Sequence, residues 1–264
     1  MNILFLGDIV GRPGREAAAQ ALSKLRQRFK ADFVIANGEN LAHGKGVTLS
    51  ALEELRSAGV DFFTSGNHVW KKEGRELLQN KSIPLVRPAN YPPGVIGRGF
   101  EIIPVMTQKI AVINLIGRTF FRAHYDCPFR TADTIIEQLA TQKPNVILID
   151  FHCEATSEIR ALGFYLDGRV TALLGTHTHV QTSDEQILPQ KTAYITSAGM
   201  CGVRHSVLGK NKDLVINEFL KQDSVNSDWD SEWKECLVEG VAIESSRDGK
   251  AEKITRFSEV VKNA

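Results

Sequence analysis

A chain of 264 residues with 42% hydrophobic and 24% charged residues is long enough to bury a sizeable core and has the composition of a globular protein. Its formal net charge of +1 provides no electrostatic footprint for a polyanion, so stable duplex nucleic-acid binding is not expected, while a small phosphorylated substrate is compatible. Four cysteines at 127, 153, 201 and 236 form no CxxC pair, which argues against a zinc knuckle or a disulfide framework.

In chain order, "NILFL" reads as a first strand, followed by a loop with Pro13 and Gly14. Asp8 interrupts the apolar start where a signal peptide would continue, and no later run reaches the roughly 18 apolar residues of a membrane helix. A cytoplasmic location without membrane attachment is therefore expected. Ala18, Ala21, Leu22, Leu25 and Phe29 recur at helical spacing within "REAAAQALSKLRQRF". Next come a strand at "DFVIA", a helix from Leu49 to Ala58 stopped by Gly59, and a strand at "DFFTS". The Pro- and Gly-rich "SIPLVRPANYPPGVIGRG" reads as loop, and "FEIIPVM" and "KIAVINLIG" as strands. A helix at "TADTIIEQLATQ", a strand at "NVILID", a helix at "SEIRALGFYL" and a strand at "VTALLG" restore the alternation. "TAYITS", "ECLVEGVAIES" and "AEKITRFSEV" form a more antiparallel finish, the last two joined by a turn at "SRDGK". The alternation is that of an α/β protein, and one domain over 1–264 is expected. The polar "LKQDSVNSDWDSEWKE" reads as a surface loop whose Trp229 and Trp233 cover a neighbouring edge.

Donor residues recur just past the C-terminal ends of these strands. Asp8 follows the first, Glu39 and Asn40 the second, Asn67 and His68 the third, His152 follows "VILIDF", and His177 and His179 follow "TALLG". In open α/β sheets that edge lines a shared crevice where ligands bind. His43, His124 and His205 do not follow strand ends and read as structural or surface residues. Without His68, the set contains two carboxylates, two carboxamides and three imidazoles. Such a mixture of N and O donors suits Mn, Fe, Zn, Co or Ni. Seven donors exceed the need of one ion, and two ions sharing a bridging carboxylate would each receive four protein ligands. The count favours a dinuclear centre of the kind that clamps attacking and leaving oxygens at phosphorus. His177 and His179 lie two apart, and a departing loop can splay them toward different ions.

The blocks "GDIVG", "NGEN", "SGNHVW", "DFHCEATSE" and "GTHTH" resemble, in this order and over nearly the whole chain, the motifs of the calcineurin-like metallophosphoesterase superfamily. Two departures stand out: Asp8-Ile9-Val10 lacks the usual histidine of the first block, and Glu39 replaces the bridging aspartate. Glu39-Asn40, with "GDIVGRPGR" and "DFHCEATSE", looks like the YmdB-type bacterial branch, whose members act on cyclic nucleotides. The resemblance implies two mixed sheets sandwiched between helices in four layers. It implies one ion on Asp8, Glu39, Asn40 and His179, the other on Glu39, Asn67, His152 and His177. Asn40 would supply the ligand that the absent histidine normally gives, and His68 would be the general acid.

The expected activity is a phosphodiesterase that hydrolyses 2',3'- or 3',5'-cyclic nucleotides through a metal-bridging hydroxide, using two ions per subunit, iron or manganese first and zinc next. A phosphomonoesterase or nuclease of broader range is the alternative in the same chemistry. A regulatory metal-binding protein acting through an RNA-processing partner is the alternative outside it, and a homo-oligomer is compatible with either. Phe120, Phe121 and Tyr125 are candidates to touch a nucleobase but read more readily as core, and Arg118 and Arg122 read as solvated surface.

Overall fold

The protein, described here as a computed structural model covering residues 1–222, 229 and 233–263, has two six-stranded mixed sheets packed face to face. The first runs β12 (Ala251–Lys262), β11 (Glu235–Ser245), β10 (Met200–Val203), β1 (Asn2–Ile9), β2 (Phe33–Asn37) and β3 (Phe62–Thr64). Strands β10, β1, β2 and β3 are parallel, and β11 runs antiparallel to β10, β1 and β12. The second sheet runs β4 (Phe100–Val105), β5 (Gln108–Ile116), β6 (Val146–His152), β7 (Ala172–Thr176), β9 (Ala193–Ile195) and β8 (Gln186–Ile187). Its central four are parallel, with an antiparallel strand at each edge.

Strand alternation divides the core into three parts. Ile3, Phe5, Ile35, Val112, Leu148 and Leu174 meet between the sheets. Leu4, Leu6 and Val34 face outward against Ala18, Leu22 and Leu25 of α1 (Gly11–Phe29) and Leu52 and Leu55 of α2 (Leu49–Ala58). On the opposite side Ile113, Ile149 and Leu173 face Ile135 and Leu139 of α4 (Pro128–Leu139) and Ile159 and Leu162 of α5 (Thr156–Leu166). Each fully buried Leu or Ile is worth about 2 kcal/mol of transfer free energy, so the layers hold together by their inner and outer apolar faces. Local signals fix the helix ends. The Thr48 side chain accepts from the Ala51 N–H, Gly59 closes α2 with φ 113°, and Pro128 opens α4.

At the C-terminal ends of the parallel strands the inner faces turn polar in step. Ile35 is followed two residues on by Asn37, Phe62 by Thr64, Val112 by Asn114, Leu148 by Asp150 and then His152, and Leu174 by Thr176. All six polar residues are buried, and together they form the floor beneath the donors.

Several elements differ from the sequence expectation. Strand β1 continues through Ile9, so Asp8 lies inside it rather than after it. Its pairing with β2 slips by one residue between Leu6 and Asp8, a bulge at Gly7 that reverses the inside-outside alternation. Leu4, Leu6 and Ile9 consequently share the helix side, and Asp8 turns toward the second sheet. Gly7 is required there because a Cβ would fall 2.1 Å from the Gly199 carbonyl oxygen. The short elements α3 (Gly74–Gln79), β8 and β10 and the helix α6 (Lys212–Lys221) carry too little periodicity or too many charges to be read from sequence. Most of the expected surface loop over 220–235 lies outside the described residues. Trp233, 6% exposed, donates its indole N–H to Glu16 at 2.9 Å, which agrees with a covering role. All four cysteines are free, with 153, 201 and 236 buried. No described helix is long and apolar enough to cross a membrane.

Candidate metal centre

The inner polar floor and the loops beyond it bring all seven expected donors, and His68, to one place. Asp8 comes from the bulge in β1, and Glu39 and Asn40 from the turn after β2. Asn67 and His68 follow β3, His152 ends β6, and His177 and His179 leave β7 with left-handed backbones, φ 96° and 58°. One donor atom each from Glu39, His152 and His177 lies within 4.8 Å of the others.

The ring tautomers follow from the hydrogen bonds around them. Thr176 Oγ1 donates its one proton to Asp150 Oδ1 at 2.7 Å, so it accepts from His152 Nδ1–H at 3.0 Å. That turns His152 Nε2 toward the centre, where its lone pair is open to a metal once the proton it shares with Glu39 is displaced. The carboxylate of Glu154 lies 3.0 Å from His177 Nε2, which therefore carries the proton and turns Nδ1 inward. His179 donates Nδ1–H to the Leu208 carbonyl at 3.0 Å and points Nε2 at Asp8 Oδ1, 3.7 Å away. Partners of this kind around ligating histidines set which nitrogen can bind a metal.

The result is a convergence of acceptors. His152 Nε2 lies 3.1 Å from His177 Nδ1, 3.1 Å from Asn67 Oδ1 and 3.2 Å from Glu39 Oε2. A proton can satisfy one of these edges; a cation satisfies all of them. Asp8 Oδ2 accepts the backbone N–H of His177 at 2.9 Å, while its buried Oδ1 has no hydrogen-bond partner among the described residues. Gly66 is equally telling, because a Cβ there would fall 2.1 Å from Glu39 Oε2 and 2.4 Å from His152 Nε2. Such a mixed carboxylate, carboxamide and imidazole set fits divalent transition metals.

Electrostatics agree with a site that favours positive charge. Burial would lower the His152 pKa, but the charges of Glu39 and Asp8 and a hydrogen bond to Glu39 raise it to about 9. Burial would raise the Glu39 carboxyl, yet His152 and His68 hold it well below the usual range. Asp8 shows the same opposition, lowered by His179 and His152 against its own burial. Burial and the neighbouring charge of His152 push His177 down to about 4, keeping it neutral. Beneath them, burial raises Asp150 to about 6 against hydrogen bonds from Thr64, Thr176 and Asn37.

Two residues behave differently from the others. Asn40 presents Nδ2 to His179 Nε2 at 3.1 Å and Oδ1 to His68 Nδ1 at 3.0 Å. Ligation beside His179 through oxygen requires its amide to turn over. His68 stands at the edge of the group, its Nδ1 3.2 Å from Glu39 Oε1 and its ring lining the adjoining cavity. His43, His124 and His205 are exposed. Of the aromatic candidates, Tyr125 is buried, Phe120 is 81% exposed, and Phe121 packs its ring 5.0 Å from that of His177. Asp150, Glu154 and Thr176 support the histidines without being expected to: Asp150 and Glu154 lie within "DFHCEATSE" and Thr176 within "GTHTH", but nothing in those blocks marks them as partners of the rings.

Comparison with known proteins gives consistent results. Residues 4–257 match the family model described as YmdB-like protein. A Bacillus subtilis protein named 2',3'-cyclic-nucleotide 2'-phosphodiesterase is 48% identical over 83% of this chain and 82% of its own. A crystal structure from Mycoplasma pneumoniae described as a novel phosphatase superposes with TM-score 0.91 at 32% identity, over 100% of this chain and 94% of that one. A Thermus thermophilus protein described as hypothetical gives TM-score 0.90 at 37% identity, over 98% and 99%.

Proposed function

The chain belongs to the YmdB-like family, and from that membership and the centre's geometry we propose a metal-dependent phosphodiesterase that opens 2',3'-cyclic nucleotides. One ion would be held by Asp8, Glu39, Asn40 and His179, the other by Glu39, Asn67, His152 and His177. The observation that carries this reading is the 3.1 Å approach of His152 Nε2 to His177 Nδ1, two ring nitrogens aimed at one point beside Glu39 and Asn67. Bound there, the ions supply positive charge for the phosphoryl oxygens and a nucleophile usable at neutral pH. Iron or manganese suits the donors best, with zinc also accepted.

The chain's own residues do the rest. Asp150 and Thr176 hold the His152 ring, Glu154 holds His177, and the Leu208 carbonyl holds His179, so the donors meet substrate already oriented. Glu39 Oε1 lies 3.2 Å from Nδ1 of His68 and occupies it, so proton transfer falls to Nε2. That atom protonates the ribose oxygen as it leaves phosphorus. The 2',3'-cyclic substrate is taken from the named activity of the B. subtilis relative.

The test is a screen of protein loaded separately with Mn, Fe or Zn against 2',3'- and 3',5'-cyclic nucleotides, linear dinucleotides and phosphomonoesters. Turnover of 2',3'-cyclic nucleotides well above the rest is expected. Preference for monoesters, or full activity after chelation, would overturn the reading.

A further inference from the structure

A cavity of about 430 Å³ opens directly off the metal centre, within the range of small-molecule sites. Its two sides are chemically unlike. Glu39, His68, His177 and His179 form the polar side, whereas Leu208, Val215, Phe219 and Trp229 form an apolar wall. Leu208 and Phe219 are 44% and 80% exposed, large apolar groups held at the surface beside a polar centre.

The wall is built into the centre. The Leu208 carbonyl accepts from His179 Nδ1 at 3.0 Å, and Leu208 takes a left-handed backbone, φ 56°, to present it. Trp229 packs its indole against Gly44, where a Cβ would fall 2.0 Å from the ring, a few residues past Glu39 and Asn40. The wall therefore keeps a fixed distance from the donors on both sides of the cavity.

The structure assigns this wall to the nucleobase of the substrate, an assignment that rests on the phosphodiesterase reading. With phosphorus at the donors, the remainder of the molecule must extend into the cavity, where Phe219 and Trp229 offer aromatic surface to a flat ring. Charge narrows the substrate further. Among the described residues three carboxylates, Glu39, Glu154 and Glu218, border the same cavity against the one ammonium of Lys210, which lies 5.6 Å from the centre of the Trp229 ring, and this acidic excess disfavours additional phosphates there. A mononucleotide, with one phosphodiester and an uncharged remainder, fits better than an oligonucleotide. Phe121 is the competing aromatic, but it does not line this cavity among the described residues.

Calorimetric titration of manganese-loaded protein with a nucleoside 3'-monophosphate and with base-free ribose 3'-phosphate tests the assignment. Wild type should bind the nucleotide at least about tenfold tighter, the worth of one base-aromatic stack. Phe219→Ala, a surface change, should remove most of that difference while leaving ribose phosphate affinity and metal content unchanged, and Trp229→Ala should act in the same direction. Equal affinities in wild type, or a preference that survives both changes and disappears in Phe121→Ala, would overturn the base wall. Base preference of the expected pattern in a protein that opens no cyclic nucleotide would instead remove the phosphodiesterase reading and leave the wall standing.

Discussion

His152 Nε2 and His177 Nδ1 face each other at 3.1 Å, because the opposite nitrogen of each ring is committed as a donor to Thr176 or to Glu154. A proton on His152, whose pKa is raised to about 9, satisfies this approach in part, and a metal cation in its place is ligated by both rings. The space around the pair is as tightly set as the rings, since Gly66 leaves no room for a side chain. Gly66→Ala should keep the fold, lose metal measured by elemental analysis, and lower phosphodiester turnover about 10- to 100-fold or more. Normal metal content in this variant would contradict the placement of the ion.

Thr176→Val is nearly isosteric but removes the acceptor of His152 Nδ1–H and one donor to Asp150. Metal affinity should fall about 10- to 100-fold. Stability should fall by about 1–3 kcal/mol, the cost of leaving a buried polar group unpaired. Titration with a metal-competing dye and urea unfolding measure the two separately.

His68→Ala should keep both ions, because His68 is not among the assigned ligands. Its kcat should drop about 100- to 10,000-fold on substrates with a ribose oxygen leaving group. The loss should be much smaller for a nitrophenolate leaving group, which departs without protonation. Equal losses on both, with full metal content, would reject His68 as the acid.

Much of the centre could be read from the sequence because each donor block lies at or just past the C-terminal end of an apolar strand, and the strand ends of both sheets share one edge. The second and third blocks, Glu39-Asn40 and Asn67-His68, lie just past β2 and β3 as expected. The reason Asp8 joins them could not be read. Strict alternation from Leu4 and Leu6 would send Asp8 to the helix side, and only the slip at Gly7, a contact with distant Gly199, turns it inward. The apolar wall was equally hidden. Helix α6 has Val215 as its one buried residue, so its sequence lacks the apolar stripe that marks a helix packed on a core.

Asp184, in the loop that carries the two histidines past β7, gives the pH dependence. Burial would raise its carboxyl, but hydrogen bonds from Thr196 and Thr182 hold it below the ordinary value of 3.8. A depressed folded-state pKa contributes stability that is present above 3.8 and is lost as pH falls through the folded value. Asp184→Asn should therefore lower Tm at neutral pH and flatten the acid limb of the Tm profile below pH 4. A variant whose Tm matches wild type at neutral pH would contradict this.

Metal content per chain in protein titrated with manganese, followed in parallel with hydrolysis of a 2',3'-cyclic nucleotide, bears most directly on the dinuclear centre. Two ions per chain are expected, with activity appearing only as the second site fills and with His177→Ala and His179→Ala each retaining about one ion. Full activity at one ion per chain, or loss of both ions together in either variant, would contradict two sites served by different histidines.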